Sequence, residues 1–221
     1  MIKGVIFDID GTLLDSMGIW ADVGARYLTE QAGVTPEPGL GKILYPMSLE
    51  EGAAYVKERY GLAESPEQIK KGVLEIVKKF YYEEAPLKEG AEEFLKTLEE
   101  KRIPVVAATS GDMDLALAAF QRLGIGGYFR DVLTCSQVGA GKDSPLIYQK
   151  AAKLLDIRPE ETLVVEDALF AVKTAKAAGF VTAGVGDSSN LSQRDQIRAE
   201  ADLYADSLTQ ILKILKERFW D

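Results

Sequence analysis

Histidine is absent from this 221-residue chain. Its absence excludes three kinds of site: nucleophilic triads with an imidazole base, histidine phosphotransfer sites and zinc centres with histidine ligands. Proton transfer near neutral pH must therefore be carried out by carboxylates, lysine, tyrosine or water. This restriction makes the acidic residues the first candidates for any acid–base chemistry.

Cysteine, long apolar runs and excess positive charge are also scarce or missing. The single Cys135 cannot form an internal disulfide, which is typical of a reducing, cytoplasmic setting. No apolar run reaches membrane-spanning length, so we expect no membrane partner. The net charge of −9 argues against binding nucleic acid, whose phosphates need a basic surface. A small phosphorylated substrate remains compatible, because one metal ion and one lysine can reverse the local field.

Two carboxylates stand close together near the start of the chain, in the stretch FDIDGTLLDS. The residues Ile2–Phe7 before them predict a short buried strand that ends at a glycine turn signal. Residues i and i+2 of an extended chain project to the same side, so we expect Asp8 and Asp10 to point one way. Such a pair repels unless a cation or a shared proton lies between the two carboxylates. The pair therefore indicates a site, although Asp and Gly are also common in ordinary turns.

The rest of the chain divides into a helical part and an alternating part. Residues 16–83 show apolar spacings of three and four and helix-capping signals, which predict a helical insertion. Beyond it, strands alternate with helices, which predicts an α/β fold with a doubly wound parallel sheet. The expected domains are a Rossmann-like core, 1–15 and 84–221, and a helical cap, 16–83. The candidate hinges lie near Asp15–Ser16 and Glu84–Gly90.

Polar residues end several of the predicted strands. Apolar segments indicate strands at Ile103–Thr109, Asp131–Cys135, Thr162–Asp167, Phe180–Val185 and Ala201–Ala205. Ligands of open parallel sheets bind at the carboxyl ends of the strands. There the sequence places Asp8 and Asp10, Thr109-Ser110 and Glu166-Asp167, with Lys142 in the glycine-rich loop GAGKDSP. Carboxylates suited to Mg²⁺, a hydroxyl and an ammonium group together predict phosphoryl transfer through an aspartyl-phosphate.

These features resemble the four motifs of the haloacid dehalogenase superfamily. The motifs are DIDGT at Asp8–Thr12, Thr109 after an apolar strand, Lys142, and the pair Glu166-Asp167 followed by a helix. The resemblance covers essentially the whole chain, and the inserted helices resemble that superfamily's helical cap. It is closest to the branch with β-phosphoglucomutase and small sugar-phosphate phosphatases.

The resemblance implies a role for each matching residue. Asp8 would be the nucleophile and Asp10 the general acid and base. Thr109 and Lys142, with Ser110 beside them, would bind the phosphoryl group. Mg²⁺ would be held by Asp8, the backbone carbonyl of Asp10, Asp167 and, directly or through water, Glu166. Asp at position 10 is the residue of the superfamily's phosphatases and phosphomutases, so dehalogenation is disfavoured.

Several alternatives remain at this level. The stretch ILYPMSLEEG has no cation nearer than Lys42 to hold a second phosphate, so a phosphatase is favoured over a sugar-phosphate mutase. A non-catalytic phosphometabolite-binding regulator would not need Asp10 beside Asp8. Nothing in the sequence requires more than a monomer.

Three smaller expectations concern single residues. Asp143, next to Lys142, would either compete for its ammonium group or cap the following helix, and the cap is favoured. Packing is favoured over substrate contact for three residues of the insertion, Trp20, Tyr45 and Met47. Cys135 is expected to be a small buried residue and not a nucleophile.

Overall fold

The computed structural model describes residues 1–220, and the chain forms two compact units. One unit comprises Met1–Ser16 and the residues from Ala85 onward, and the other comprises Met17–Glu84. Each of the two boundaries between these units lies one residue later along the chain than the sequence predicts. The last residue of the predicted core, Asp221, lies outside the described residues.

The described part of the larger unit contains a six-stranded parallel sheet with the order β3-β2-β1-β4-β5-β6. Its strands are β1 (Gly4–Phe7), β2 (Val105–Thr109), β3 (Phe129–Thr134), β4 (Thr162–Glu166), β5 (Val181–Val185) and β6 (Leu203–Ala205). The strand order runs outward in both directions from β1, which confirms the predicted doubly wound sheet. The strand β3 begins two residues earlier than predicted, directly after a short 3₁₀ turn at Gly126–Tyr128.

Both faces of the central strands are buried. Every residue of β1, β2 and β4 is buried, as expected for a parallel sheet covered by helices on both sides. Because side chains alternate along a strand, Ile6 packs into a cluster with Val106 and Val164 on one face. On the other face Phe7 meets Phe94 edge to face, with 5.1 Å between the ring centroids. This double burial leaves the strand ends as the places where polar side chains can be accommodated.

The inserted unit is helical throughout its regular elements, and its helix starts follow the local sequence. The helices are α1 (Gly18–Tyr27), continued by a π-helical turn at Leu28–Ala32, α2 (Leu40–Leu44), α3 (Leu49–Tyr60) and α4 (Pro66–Glu83). Ser48 and Ser65 cap α3 and α4 through reciprocal capping boxes, with Pro66 at the first helical position. Gly61 ends α3 with a positive φ of 62°. The predicted helical insertion and its caps are therefore confirmed.

The helices of the larger unit lie between its strands, except for the last one, which follows β6. They are α5 (Ala91–Glu100), α6 (Met113–Leu123), α7 (Cys135–Val138), α8 (Leu146–Leu155), α9 (Leu169–Ala177), α10 (Arg194–Glu200) and α11 (Leu208–Arg218). The helix α8 contributes Ile147, Tyr148 and Ala151 to the cluster around Ile6. Among residues 1–220, no helix combines the length and the hydrophobicity that crossing a lipid bilayer requires.

The helices α1 and α2 approach each other closely at a glycine, which generates a testable prediction. A Cβ atom at Gly41 would overlap the backbone oxygen of Ala21, whereas one at Gly52 in α3 would meet only Leu44 Cδ2 at an ordinary 3.7 Å. We expect Gly41→Ala to lower the free energy of unfolding by about 1–3 kcal/mol through overpacking. The matched Gly52→Ala should raise it by roughly 0.5–1 kcal/mol, because alanine is the better helix former. Urea denaturation measures both, and equal effects would contradict the close approach.

Candidate active site

Sheet register brings the ends of β1 and β4 level. Phe7 pairs with Val165 of β4 and with Ala107 of β2, so the residues that follow these positions emerge side by side. The N–H group of Asp8 extends the pairing by donating to the Val165 carbonyl at 3.0 Å. Asp8 therefore lies beside Glu166, although 158 positions separate the two in the numbering.

A buried acidic cluster occupies this edge of the sheet. Asp8, Glu166 and Asp167 each offer a carboxylate oxygen, and these oxygens all lie within 4.8 Å of one another. The three residues are 6 %, 1 % and 7 % exposed, respectively. The sequence-predicted metal residues are thus brought together, except that the side chain of Asp10 is not part of this cluster.

The ammonium group of Lys142 neutralises part of the cluster. It donates to Asp8 Oδ1 and, at 2.6 Å, to Glu166 Oε1, and the side chain is only 4 % exposed. Lys142 reaches these acids from the loop between α7 and α8, where the sequence predicts it. The positive charge of Lys142 therefore lies directly between the carboxylates of Asp8 and Glu166.

Two residues that sequence reasoning missed complete the surroundings of the cluster. The Tyr148 hydroxyl donates to Glu166 Oε1 at 2.8 Å, and Thr12 Oγ1 donates to Asp167 Oδ1 at 3.4 Å. A buried tyrosine needs a partner for its hydroxyl, and Tyr148 falls on the apolar face of a helical pattern. The helical pattern could therefore have predicted that the Tyr148 hydroxyl forms a hydrogen bond, but it could not have identified Glu166 as the acceptor.

The crowded carboxylates have shifted proton affinities. Burial raises the pKa of Asp8 well above its ordinary value, although the charge of Lys142 opposes this shift. Burial and the nearby charge of Glu166 raise the pKa of Asp167 to about 7. Burial opposes the charge of Lys142, but the two carboxylates outweigh it and raise the lysine pKa. Three buried acids share one ammonium group, so protonation of Asp8 and Asp167 is favoured unless further positive charge binds beside them.

The donor set of this cluster fits a hard divalent cation. Carboxylate oxygens are the ligands that Mg²⁺ prefers, and neutralising their mutual repulsion would favour its binding. Asp8, Glu166 and Asp167 are the residues that could hold the ion. No histidine or thiolate ligand is available to favour a softer metal, because histidine is absent and Cys135 points to Ser110.

The carboxylate of Asp10 has different surroundings from that of Asp8. The strand β1 ends at Phe7, and Asp10 lies in the following turn, where it pairs with Leu14. Asp10 Oδ1 accepts a hydrogen bond of 2.7 Å from the Ser16 hydroxyl. The expectation that both acids point one way assumed extended backbone, so it does not carry over beyond the end of the strand.

Gly111 allows the end of β2 to approach Asp10. A Cβ atom at Gly111 would lie 2.9 Å from Asp10 Oδ2 and 3.1 Å from Thr109 Oγ1. The buried Thr109 hydroxyl accepts a hydrogen bond of 2.8 Å from the Gly111 N–H. Thr109, Gly111 and Asp10 are therefore neighbours, as the strand-end argument predicts for Thr109 and Asp10.

Ser110 and Cys135 lie together at the edge of the site. The Ser110 hydroxyl is 3.4 Å from Cys135 Sγ, and Ser110 is exposed. Cys135 is half-buried, packs against the cluster around Ile6 and begins α7, so its predicted position at the end of a strand is wrong. The reason is that Thr134 ends β3 and its side chain caps the helix that starts with Cys135.

One further expectation needs correction. Asp143 is exposed and does not cap α8: Pro145 occupies the cap position without a side-chain bond, and Ser144 Oγ accepts from the Leu146 N–H at 3.4 Å. Within the inserted unit, Trp20 and Tyr45 are 39 % and 69 % exposed, so neither is a core residue, and the preference for packing over substrate contact stays a prediction. Together with Met47 they line a mainly apolar cavity of about 270 Å³.

The raised pKa of Asp167 predicts how stability depends on pH. Folded Asp167 holds a proton up to about pH 7, whereas the ordinary value of 3.8 applies in the unfolded chain. The folded state therefore binds more protons between these values, and stability falls as the pH rises through them. In metal-free buffer, we expect the melting temperature of the wild type to fall relative to that of Asp167→Asn from pH 4 to pH 7. Parallel curves in differential scanning calorimetry would contradict the assignment, and the exposed Asp195→Asn serves as control.

The chain is similar to proteins of known family. The sequence profile of haloacid dehalogenase-like hydrolases matches residues 2–179. A phosphorylated carbohydrates phosphatase of Thermotoga maritima is 32 % identical over 179 residues, which cover 81 % of this chain and 82 % of the relative. Hexitol phosphatase A of Escherichia coli is 29 % identical, with 95 % and 93 % of the two chains covered.

Structural comparison gives the same relationship. A structure from Thermotoga maritima, provisionally named a β-phosphoglucomutase, superposes with a TM-score of 0.87 and 30 % identity. The match covers 99 % of this chain and 100 % of that one. The sheet order, the inserted helical unit and the profile match agree, and the chain belongs to the haloacid dehalogenase-like hydrolases.

Proposed function

We propose that this protein is a cytoplasmic, Mg²⁺-dependent phosphatase that acts on a small phosphorylated metabolite through an aspartyl-phosphate on Asp8. The observation that carries the proposal is the buried cluster of Asp8, Glu166 and Asp167 with Lys142 bonded into it. A phosphoryl group needs a nucleophile and concentrated positive charge at one place. In this cluster Asp8 would be the nucleophile, and Lys142 together with a bound cation would supply the positive charge.

In the proposed reaction, a carboxylate oxygen of Asp8 attacks phosphorus while the bond from phosphorus to the leaving oxygen breaks. Asp10 donates its proton to that oxygen, so the alcohol leaves neutral. Asp10 then accepts a proton from water, whose oxygen attacks the phosphorus of the aspartyl-phosphate and restores Asp8. The bond from Ser16 would orient the Asp10 carboxylate for these transfers.

Charge stabilisation in this scheme comes from two sources. Lys142 would bind oxygens of the phosphoryl group, with Thr109 and Ser110 as the neighbouring hydroxyls. Mg²⁺, held by Asp8, Glu166, Asp167 and the Asp10 carbonyl, would supply positive charge that favours ionised Asp8 and polarises the phosphoryl group. The raised pKa of Asp8 supports the need for that charge, since attack requires the carboxylate form.

The names of the relatives favour a sugar or polyol phosphate as substrate. The two curated relatives described above are named for phosphorylated carbohydrates and for hexitols. A sugar-phosphate mutase is the alternative, favoured by the name of the structural neighbour. A mutase must hold a second phosphate, and the stretch Tyr45–Glu50 offers no cation for it. Phosphate transfer to a sugar instead of water would distinguish that alternative.

The first experiment measures phosphate release from a panel of sugar phosphates, polyol phosphates, nucleotides and 4-nitrophenyl phosphate. We expect release by the wild type in Mg²⁺ and none in EDTA. Asp8→Asn should reduce kcat by about 10³-fold or more, because the nucleophile is lost. The exposed Asp195→Asn is the matched control and should leave kcat unchanged. Hydrolysis that persists in Asp8→Asn would contradict the nucleophile assignment, and a regulator without catalysis would release no phosphate from any ester.

Asp10→Asn tests the acid–base assignment separately. With a sugar phosphate, loss of the proton donor should slow turnover roughly 10²–10⁴-fold. With 4-nitrophenyl phosphate, the leaving group needs no proton, whereas hydrolysis of the aspartyl-phosphate still needs a base. We therefore expect a rapid release of one equivalent of nitrophenolate per enzyme, followed by a slow steady state in stopped-flow absorbance. A wild-type steady-state rate with the sugar phosphate would remove Asp10 from proton transfer.

A further inference from the structure

The loop after β5 is bonded to the backbone of Asp167 by a buried asparagine. Asn190 Nδ2 donates to the Asp167 carbonyl at 2.8 Å and to the Val185 carbonyl at 3.4 Å. Its Oδ1 accepts from the Asp187 N–H at 3.2 Å. Asn190 is only 6 % exposed, so its amide joins the end of β4 to the end of β5 away from solvent.

The conformation of this loop depends on a buried charge. The side chain of Asp187 is completely buried, and its Oδ1 accepts from the N–H and the hydroxyl of Ser189 at 2.8 and 2.7 Å. Its Oδ2 accepts from Lys88 Nζ at 2.7 Å. The same ammonium group donates to the Gly186 carbonyl at 3.1 Å. A buried carboxylate is costly without such a partner, so Lys88 holds the loop in this form.

Lys88 belongs to the segment by which the chain re-enters the core. Its N–H donates to the Leu13 carbonyl at 2.8 Å, and Leu87 pairs with Leu14. Leu13 directly follows Thr12, whose hydroxyl donates to Asp167. The backbone of Lys88 is therefore hydrogen-bonded to the turn after Asp8. Its side chain is bonded to the loop from which Asn190 donates to the Asp167 carbonyl.

We propose that Lys88, Asp187 and Asn190 are positioning residues that fix Asp167 for cation binding. The inference rests on the proposed function in assigning Asp167 to a Mg²⁺ site. Asp167 is thereby held from two directions, by Thr12 on its side chain and by Asn190 on its carbonyl. Without the Lys88 ammonium group the Asp187 carboxylate has to reach water, the loop shifts, and Asn190 loses its hold on Asp167. Hydrogen-bond partners of metal ligands typically contribute roughly 10–100-fold to metal affinity.

The experiment measures cation affinity directly, without relying on turnover. Mn²⁺ serves as the paramagnetic probe, and its free fraction is followed by electron paramagnetic resonance in wild type, Lys88→Met, Lys88→Arg and Asn190→Ala. Lys96→Met is the matched control, because Lys96 forms an exposed ion pair with Glu92 in the same unit. Thermal melting in EDTA reports the stability of each variant, so that affinity and folding are separated.

We expect Lys88→Met and Asn190→Ala to weaken Mn²⁺ binding at least about tenfold, with Lys88→Arg and Lys96→Met within about threefold of wild type. If Lys88→Met does not fold, Asn190→Ala decides, since it keeps the ion pair. Unchanged affinity in the folded variants, or no Mn²⁺ binding by the wild type, would overturn the inference. If the wild type binds Mn²⁺ in a Lys88-dependent manner but hydrolyses no ester, the positioning role stands and the proposed phosphatase activity falls.

Discussion

The site depends on one interaction, the ammonium group of Lys142 held between Asp8 and Glu166. Together with Asp167, these acids are buried at one edge of the sheet, where uncompensated charge is strongly unfavourable. The surrounding groups are arranged around that constraint. The Tyr148 hydroxyl donates a second hydrogen bond to Glu166, and the Thr12 hydroxyl donates one to Asp167. One ammonium group cannot neutralise three ionised carboxylates, so a divalent cation bound among them would favour their ionised forms.

The sheet makes this crowding possible because the polar side chains of its central strands stand at the strand ends. The strands β1, β2 and β4 are buried on both faces, and the polar residues Asp8, Thr109 and Glu166 stand at their carboxyl ends. Parallel pairing then sets these ends level, as the pairing of Phe7 with Val165 and Ala107 shows. The position of the site is therefore a consequence of strand burial and register, and the chemistry depends on which residues stand immediately beyond.

This logic explains which features could be predicted from the sequence. Asp8, Thr109 and Glu166 follow apolar segments, so local patterns were enough to expect their convergence. Tyr148 and Lys88 act through partners 18 and 99 positions away, and no local pattern identifies such partners. For Asp143 a local pattern gave a wrong prediction. Its residue type is typical of a helix cap, but Pro145 occupies the cap position of α8, and Ser144 accepts the hydrogen bond from the Leu146 N–H. Local rules thus predicted the elements and the strand-end residues, whereas side-chain partnerships depended on tertiary packing.

The proposed reaction gives Asp8 and Asp10 different roles, and the end of β1 gives the two carboxylates different surroundings. Asp8 directly follows β1, and its side chain is buried and bonded to Lys142. Its ionised form is therefore favoured only where positive charge lies beside it. Two residues later the backbone has turned, and Asp10 is half-buried and bonded to a neutral hydroxyl, Ser16. A nucleophile needs surroundings that stabilise its anion, whereas a proton carrier must exist in both forms. The termination of the strand at Phe7 gives adjacent acids these two environments, and Gly111 keeps the space beside Asp10 free of a side chain.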